Sequence, residues 1–334
     1  MAGPHPFAMA LVDGVAHRLE MIACPMPALA EGQVRLRVLT CGVCRTDLHI
    51  VDGELETKNL PLVPGHEIVG SVVEVGPGCV RLHVGERIGV PWLHGSCEHC
   101  GLCESGRENL CQGAVFTGWS VDGGYAQYAV AQEDYSFAIP PNYSDEHAAP
   151  LLCAGLIGWR ALRMLPAASS VGLYGFGAAG HLIAQVALAE RRRVFAFTRP
   201  GDEAAQALAR SLGVHWAGDS TQAPPEEMHG AILFAPVGAL VPLALERIAP
   251  GGTVVCAGIH MSDIPSFPYR SLWMERCVRS VANLTRRDGH DFMAWAATHT
   301  LQLSTTTYPL AEANAALDDL RAGCVSGAAV LSCT

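Results

Sequence analysis

Residues 171–189, VGLYGFGAAGHLIAQVALA, join two apolar segments through a glycine-rich turn. The first segment, Val171–Tyr174, is continuously apolar, which is typical of a strand in a parallel sheet that is covered on both faces. The turn carries a G-x-G-x-x-G motif made of Gly175, Gly177 and Gly180. Such glycines let the backbone approach a pyrophosphate, whose charge lies at the N-terminus of the following helix. The stretch therefore predicts a dinucleotide-binding unit.

The segments after this turn alternate between helices and strands. The predicted elements are helix Ala178–Glu190, strand Val194–Thr198, helix Glu203–Leu212, strand Ala231–Ala235, helix Val237–Ile248 and strand Thr253–Ala257. This order predicts a doubly wound parallel sheet covered by helices. The first 150 residues are instead rich in turns and in short alternating strands, up to Ser144, which is expected to cap an Ala- and Leu-rich helix. The fold class is therefore α/β, with a β-rich part and a Rossmann part.

Composition excludes several classes of protein. The chain has 334 residues, of which 50% are hydrophobic and 16% are charged, so it is neither disordered nor fibrous. The formal charge is −10 and no basic run exceeds Arg191–Arg193, which argues against nucleic acid or an anionic membrane as a partner. Thirteen cysteines, and no signal-type segment at Met1–Arg18, predict a cytoplasmic protein whose clustered cysteines bind metal.

Four cysteines with metal-ligand spacing form the strongest local signal. They lie within fifteen residues and are Cys97, Cys100, Cys103 and Cys111. Four thiolates that close one tetrahedron around Zn²⁺ leave no open position, so this spacing predicts a structural zinc site. An iron–sulfur cluster and a set of buried free cysteines are the alternatives. His94 and His99 lie among the cysteines as substitute ligands that the fourfold set does not need.

A second set of metal-ligand residues is dispersed along the chain. Cys44 lies in the run CGVCRTDLH at residues 41–49, His66 in the run GHE, and Cys153 in the run LCA. Each residue alone is weak evidence, because a lone Cys or His on an apolar element is more often a core residue. Together they supply two thiolates and one imidazole, a ligand set that leaves the fourth position of a catalytic zinc open.

These runs, together with the four cysteines and PLLCAG at residues 150–155, resemble the zinc-dependent alcohol dehydrogenases of the medium-chain dehydrogenase/reductase superfamily. The resemblance covers nearly the whole chain in the correct order. It implies a GroES-like catalytic domain with both zinc sites, formed by residues 1–150 and 283–334, and a Rossmann domain formed by residues 151–282. It also implies reversible hydride transfer between a small alcohol and NAD(P), and a homodimer or homotetramer.

The resemblance further implies roles around the catalytic zinc. The ligands would be Cys44, His66 and Cys153. Glu67 would stand just outside and approach the metal when water or substrate exchanges, and Asp47 would orient the His66 ring and fix its tautomer. Thr46 and His49 would form a proton relay that carries the alcohol proton to solvent. Arg45, next to the first ligand, would contact the cofactor pyrophosphate.

The end of the strand Val194–Thr198 bears on the choice of dinucleotide. An NAD enzyme usually has Asp or Glu there to bind the adenosine ribose, whereas this chain has Thr198 followed by Arg199. A hydroxyl beside a guanidinium suits the 2′-phosphate of NADP, which a carboxylate would repel, so NADP(H) is favoured over NAD(H). Near the C-terminus, residues 326–329, SGAA, lack the basic residue of many relatives, a departure that bears on cofactor affinity and not on the chemistry.

By resemblance, three side chains line the substrate pocket: Leu55, Trp92 and Trp119. An indole beside the metal leaves room for small or slender substrates, either primary or secondary alcohols or the matching aldehydes and ketones. His260 follows the strand Thr253–Ala257 and either borders the nicotinamide or is a turn residue. Two other functions stay open: a zinc-independent quinone or enoyl reductase of the same superfamily, and a non-catalytic protein that binds pyridine nucleotide.

Overall fold

The computed structural model describes residues 6–13, 17–26, 28–57, 59–165, 168–325 and 327–334, so Ser326 of the SGAA run lies outside the described residues. The strands are β1 Phe7–Ala10, β2 Glu20–Ala23, β3 Gln33–Val43, β4 Ile68–Val75, β5 Arg87–Val90, β6 Leu93–Gly95, β7 Val115–Phe116, β8 Tyr128–Gln132, β9 Phe137–Ala138, β10 Ser170–Tyr174, β11 Arg193–Thr198, β12 Trp216–Asp219, β13 Met228–Leu233, β14 Ile248–Cys256, β15 Cys277–Ser280, β16 Thr305–Pro309 and β17 Ala328–Ser332. The α-helices are α1 Arg45–Val51, α2 Gly101–Glu104, α3 Asp145–Ala148, α4 Ala154–Arg163, α5 Ala178–Ala189, α6 Glu203–Ser211, α7 Leu240–Leu245, α8 Tyr269–Leu272, α9 Arg286–Thr298 and α10 Ala313–Ala322. Short 3-10 helices cover Glu108–Leu110, Glu133–Tyr135, Ala149–Leu152 and Leu310–Glu312. These elements form two compact units, Met1–Cys153 with Asn283–Thr334, and Ala154–Ala282.

The first unit is built around a seven-stranded sheet. Its strands lie in the order β16-β17-β3-β4-β5-β9, and β8 also pairs with β3. The long strand β3 pairs antiparallel with β17, in a register that sets Leu331 opposite Cys41. The C-terminal strand therefore completes the sheet that the N-terminal part of the chain begins. Val34, Leu36 and Val38 of β3 are fully buried, which fixes the end of this strand, where α1 starts.

The second unit is a parallel sheet of six strands in the order β12-β11-β10-β13-β14-β15. This order confirms the predicted doubly wound sheet, with the reversal of strand order next to β10. The apolar stretch 171–189 forms β10, the turn and α5. In the described ranges, no helix is both long enough and apolar enough to cross a bilayer.

The glycine-rich turn after β10 requires its glycines for close packing. Gly175 has a φ of +94°, a backbone conformation that side chains disfavour. A β-carbon on Gly180 would lie 2.2 Å from the carbonyl oxygen of Gly175, so the first turn of α5 can lie against the turn only without a side chain there. Gly177, in contrast, has open space at the same position, and its exposed backbone forms the N-cap of α5.

Two predicted helices are shorter than expected and one strand was not predicted, each for a local reason. Ser144 does cap a helix by accepting a hydrogen bond from the His147 N–H, but α3 ends at Ala148 because Pro150 has no N–H to continue it. The helix predicted at Val237–Ile248 is shortened to α7, since Ile248 already pairs with β13. Strand β12 was not predicted, because its four residues include glycine and aspartate, which are rare in strands.

Candidate metal centres and active site

The first candidate ligand lies where β3 ends and α1 begins. Cys44 is the N-cap of α1, and its N–H donates to Asp47 Oδ2 at 2.8 Å, which closes the first turn of the helix. Thr46 and Asp47, on the same helix, are buried beside it. Arg45, the first residue of α1, is exposed.

His66 lies in the loop that leads into β4. Its ring is 1% exposed and its Nδ1 lies 3.2 Å from Asp47 Oδ1, so the Nδ1–H donates to the carboxylate and Nε2 is left for a metal. Gly65 before it has a φ of +95°, and a β-carbon there would lie 2.3 Å from the Tyr125 ring. Glycine at position 65 is therefore needed to bring the histidine to this place.

Cys153 follows the 3-10 helix Ala149–Leu152, whose side chains are buried. The helix is held against the sheet by Leu152, which fills the space over Gly89 of β5: a β-carbon on Gly89 would lie 2.6 Å from Leu152 Cδ2. The 3-10 helix, which has Pro150 in its first turn, thus ends just before Cys153, whose sulfur lies 3.7 Å from that of Cys44.

We refer to Cys44, His66, Glu67 and Cys153 as the dispersed group. One ligand atom from each of the four lies within 4.8 Å of the others, and the sulfur atoms of Cys44 and Cys153 are 3.7 Å apart. A tetrahedral zinc with Zn–S bonds of about 2.3 Å places its sulfur atoms roughly 3.8 Å apart. The donor set and the spacing therefore fit a zinc ion, with Glu67 as the fourth neighbour of the three predicted ligands.

The charges in the dispersed group also fit a cation. A hydrogen bond from the Cys153 thiol lowers the pKa of Cys44 well below its usual value, and the same interaction raises the pKa of Cys153. Burial raises the pKa of Glu67. Burial alone would lower the pKa of His66, but the neighbouring Asp47 carboxylate raises it. Two thiols and two carboxyls thus share a buried site with one imidazole, an excess of acidic groups that a divalent cation neutralises.

The residues predicted for proton transfer lie on α1 next to this group. The hydroxyl of Thr46 is 3.7 Å from the sulfur of Cys44, and Thr46 is 7% exposed. His49, one turn along the helix, is partly exposed, and its Nδ1 pairs with the Glu54 carboxylate, which lies in solvent. The helix therefore carries a buried hydroxyl beside Cys44 and, three residues further on, a partly exposed imidazole.

The second candidate metal centre consists of four cysteines: Cys97, Cys100, Cys103 and Cys111, referred to below as the four-cysteine group. Their sulfur atoms are 3.5 to 3.9 Å apart in the contacts between them, which again matches the roughly 3.8 Å edge of a zinc tetrahedron. Helix α2 and the 3-10 helix Glu108–Leu110 supply the turns. Neither His94 nor His99 belongs to the group of converging ligands.

Comparison with known proteins places the chain in a family. Residues 30–141 match the family model of the alcohol dehydrogenase GroES-like domain. A probable alcohol dehydrogenase, AdhA, of Mycobacterium tuberculosis is 44% identical over 94% of this chain and 92% of its own. An alcohol dehydrogenase of Geobacillus stearothermophilus is 36% identical over 96% and 98%. The chain belongs to the zinc-type medium-chain alcohol dehydrogenases. The resemblance that the sequence motifs suggested is thereby confirmed, and the chain is an oxidoreductase with alcohol dehydrogenase activity.

The fold of this alcohol dehydrogenase agrees with solved structures. A cinnamyl alcohol dehydrogenase of Sorghum bicolor superposes with a TM-score of 0.89 at 25% identity, over 98% of this chain and 97% of that one. The protein AibC superposes with the same TM-score at 28% identity, over 98% and 96%. The predicted α/β fold, with a GroES-like unit and a Rossmann unit, is confirmed.

Aromatic rings form a wall beside the candidate ligand His66 in this dehydrogenase. The Trp92 ring meets the His66 ring edge-on at 5.0 Å and stacks on Phe116 at 5.2 Å and on Trp119 at 6.0 Å. The indole N–H of Trp119 donates to the Glu56 carbonyl, which anchors the outer ring. Sequence reasoning had missed Phe116, because a single phenylalanine on a two-residue strand carries no motif. Leu55 packs partly buried against the same apolar cluster as Trp92 and Trp119.

In the nucleotide-binding unit of this dehydrogenase, Thr198 and Arg199 differ in exposure at the end of β11. Thr198 is 2% exposed, and its hydroxyl donates to the Arg199 carbonyl and accepts from the Gln206 amide. Arg199 is exposed. The Thr198 hydroxyl is therefore buried and hydrogen-bonded within the unit, whereas the Arg199 side chain is exposed. His260 is exposed, with a φ of +50°, in the turn after β14.

Proposed function

We propose that this enzyme is a zinc-dependent alcohol dehydrogenase and aldehyde reductase that binds two zinc ions per subunit and uses NADP(H) in preference to NAD(H). The observation that carries the proposal is the convergence of Cys44, His66 and Cys153, from three remote segments, at tetrahedral spacing. Three protein ligands leave a position for the substrate oxygen. The closed four-cysteine group is assigned the second, structural ion.

The proposed chemistry assigns a distinct task to each side chain of the site. When bound, zinc supplies Lewis acidity to the substrate oxygen and the nicotinamide exchanges the hydride. Asp47 holds the His66 ring through Nδ1, so that Nε2 faces the ligand position. In alcohol oxidation the Thr46 hydroxyl accepts the substrate proton while it gives up its own, and the His49 ring, held by Glu54, receives the relayed proton and releases it to solvent. The Glu67 carboxyl shares the site and serves ligand exchange.

The aromatic wall supports a substrate class. Trp92, Phe116 and Trp119 give the pocket beside His66 a flat, apolar side, which favours slender apolar primary or secondary alcohols, including those with a planar ring. Relatives of this chain bear names such as cinnamyl alcohol dehydrogenase, which fits a pocket of this kind. The proposed substrate class depends on the three stacked rings and not on the names of relatives.

The decisive experiment combines metal analysis with steady-state kinetics on one preparation. We expect two zinc ions per subunit, and turnover on a panel of alcohols and aldehydes of increasing apolar size. A zinc-independent quinone or enoyl reductase would hold one ion or none and keep its activity after chelation. A non-catalytic nucleotide-binding protein would bind the cofactor but turn over no substrate in the panel.

The preference for NADP(H) rests on Arg199. Its guanidinium is exposed beyond the end of β11, and the nearby carboxylate of Asp202 is engaged as the N-cap of α6, where it accepts from Ala205 N at 3.1 Å. We expect Arg199→Ala to lower kcat/KM for NADPH by roughly tenfold, the size of a lost charged hydrogen bond, and to change NADH little. Arg191→Ala, at another exposed arginine of the same unit, is the control. Equal losses with both cofactors would contradict the assignment.

We propose that the enzyme forms a homodimer or homotetramer. We also propose that it works in the cytoplasm, where thiols stay reduced. Strand β15 lies at the end of the six-stranded sheet, and the segment before it exposes Tyr269, Trp273 and Met274. A sheet edge with exposed apolar side chains favours pairing with a second copy. Light scattering should give the mass of a dimer or tetramer for the wild type and a smaller mass for Trp273→Glu. A monomeric wild type would contradict this proposal.

A further inference from the structure

The Asp47 carboxylate is fully buried and accepts four hydrogen bonds. Oδ1 accepts from the Gly65 N–H and the His66 ring, each at 3.2 Å. Oδ2 accepts from the Cys44 N–H at 2.8 Å and from the Tyr125 hydroxyl at 3.1 Å. Three of these donors belong to metal ligands or to the residue beside one. The fourth, Tyr125, comes from a part of the chain to which the mechanism gives no task.

Tyr125 is held rigidly. Its side chain is fully buried, its N–H donates to the Pro64 carbonyl at 3.0 Å, and its carbonyl accepts from Met9 N at 2.8 Å. Its ring fills the space over Gly65. Burial raises the pKa of Tyr125 well above its usual value, so the phenol keeps its proton and acts as a donor. The position of the hydroxyl is thus set by contacts of Tyr125 other than its hydrogen bond to Asp47.

We propose that Tyr125 is a positioning residue of the catalytic metal site, whose hydroxyl sets the orientation of the Asp47 carboxylate and, through it, of the His66 ring. The inference rests on the proposed zinc ligation. Fixed donors to both oxygens keep the Asp47 carboxylate from rotating. Without the Tyr125 hydroxyl, Oδ2 accepts only from the Cys44 N–H. The His66 Nδ1–H bond then loses its fixed acceptor, and the ring loses its alignment for the metal.

The hydroxyl and the ring of Tyr125 have separable roles. Packing over Gly65 needs only the ring, which Tyr125→Phe retains. The lost hydroxyl leaves an apolar carbon edge against a carboxylate, a local change at one hydrogen bond. Tyr143 offers a matched control in the same unit, since its buried hydroxyl donates to the His299 carbonyl and accepts from the Leu301 N–H, each at 2.9 Å. Tyr143→Phe removes a buried hydroxyl that has no link to a metal ligand.

The test is the rate at which zinc passes to a chromophoric chelator from the holoenzyme. We expect two ions per subunit to leave wild type in distinct phases. In Tyr125→Phe the ion of the dispersed group should leave about tenfold faster, the lower end of the effect known for partners of metal-ligating histidines, while the ion of the four-cysteine group leaves at the wild-type rate. In Tyr143→Phe both rates should stay at the wild-type value, even where its melting temperature falls.

Two outcomes overturn the inference. One is a Tyr125→Phe enzyme that releases both ions at the wild-type rates. The other is a change that Tyr143→Phe reproduces, because that would reflect general loosening of the unit. A different result identifies a failure of the proposed function itself: a wild type, loaded with excess zinc and then desalted, that retains only the four-cysteine ion. The count of ions in the wild type therefore separates the two failures.

Discussion

The two candidate metal centres of this enzyme lie in the same unit but are built in opposite ways. The four-cysteine group draws its ligands from residues 97–111, whereas the dispersed group draws them from residues 44–153. The first is held by turns and two very short helices, the second by a sheet, a helix N-terminus and a loop around a positive-φ glycine. A local group can bind metal with little help from the fold. A dispersed group exists only once the fold is complete.

The comparison predicts a catalytic role for the dispersed group and a structural role for the four-cysteine group. Ligands that need the whole unit for their placement can be held with an open position, because surrounding residues such as Asp47 fix each ligand separately. Ligands on short turns are fixed mainly by the ion that they share, which makes that ion part of the local structure. Removal of a ligand should therefore affect catalysis in one group and stability in the other.

The largest expected effect is on turnover in Cys153→Ala. The change removes one ligand of the dispersed group, and Lewis acidity of several kcal/mol goes with it, so kcat/KM should fall by at least about 1,000-fold. The melting temperature should fall only slightly, because the buried 3-10 helix before residue 153 and its contact with Gly89 remain. A variant that retained the full rate would contradict the ligand assignment.

Cys103→Ala should have the reverse profile. Cys103 is buried, with its sulfur 3.5 Å from that of Cys100 and 3.9 Å from that of Cys97. The free energy of unfolding should drop by more than about 4 kcal/mol, since loss of a structural metal is among the few causes of so large a change. Chemical denaturation of the two cysteine variants side by side checks this. If Cys103→Ala melted like the wild type, the structural role of the four-cysteine group would be wrong.

A pair of glycine substitutions sharpens the comparison further. A β-carbon on Gly42 would lie 1.9 Å from Glu67 Oε2 and 2.9 Å from Glu67 Cβ, so Gly42→Ala must displace the carboxyl of the dispersed group. Overpacking of this kind costs about 1–3 kcal/mol, and we expect kcat to fall with it. Gly95→Ala, beside the four-cysteine group, meets no atom within 4 Å and should leave both quantities unchanged. Equal behaviour of the two variants would show that Glu67 does not depend on the space above Gly42.

The contrast between local and dispersed residues also explains which parts of the fold and the site could be predicted from the sequence. The turn at Gly175–Gly180 and the spacing of the four cysteines are local patterns, and the structure has both in the expected places. The dispersed ligands were found through resemblance, since no spacing rule connects positions 44, 66 and 153. Phe116 and Tyr125 were not found at all, because a ring in an aromatic wall and a hydroxyl behind a carboxylate become evident only from contacts between segments that are remote in the sequence.

The surroundings of Thr198 illustrate what a sequence pattern leaves open. Its position at the end of β11 is the one that a sequence pattern can recognise. The contacts of its hydroxyl include Gln206 of α6, whose amide donates to it at 3.1 Å. A pattern in one strand carries no information about the helix that packs against it.

The smallest expected effect is a pH dependence beside the four-cysteine group. His94 of β6 is 6% exposed, its Nδ1 has no hydrogen-bond partner within the described chain, and burial lowers its pKa to about 4. An unfolded histidine has a pKa of about 6.5, so between these values the unfolded state binds the proton and the folded state does not. Stability must therefore fall as the pH falls, by about 1.6 kcal/mol between pH 6.5 and 5. His94→Gln lacks this loss. Its free energy of unfolding, relative to that of the wild type, should therefore increase by that amount as the pH falls from 6.5 to 5, and the difference should stay constant above pH 7.5. A difference that is independent of pH would mean that burial does not lower the pKa of His94 in the folded enzyme.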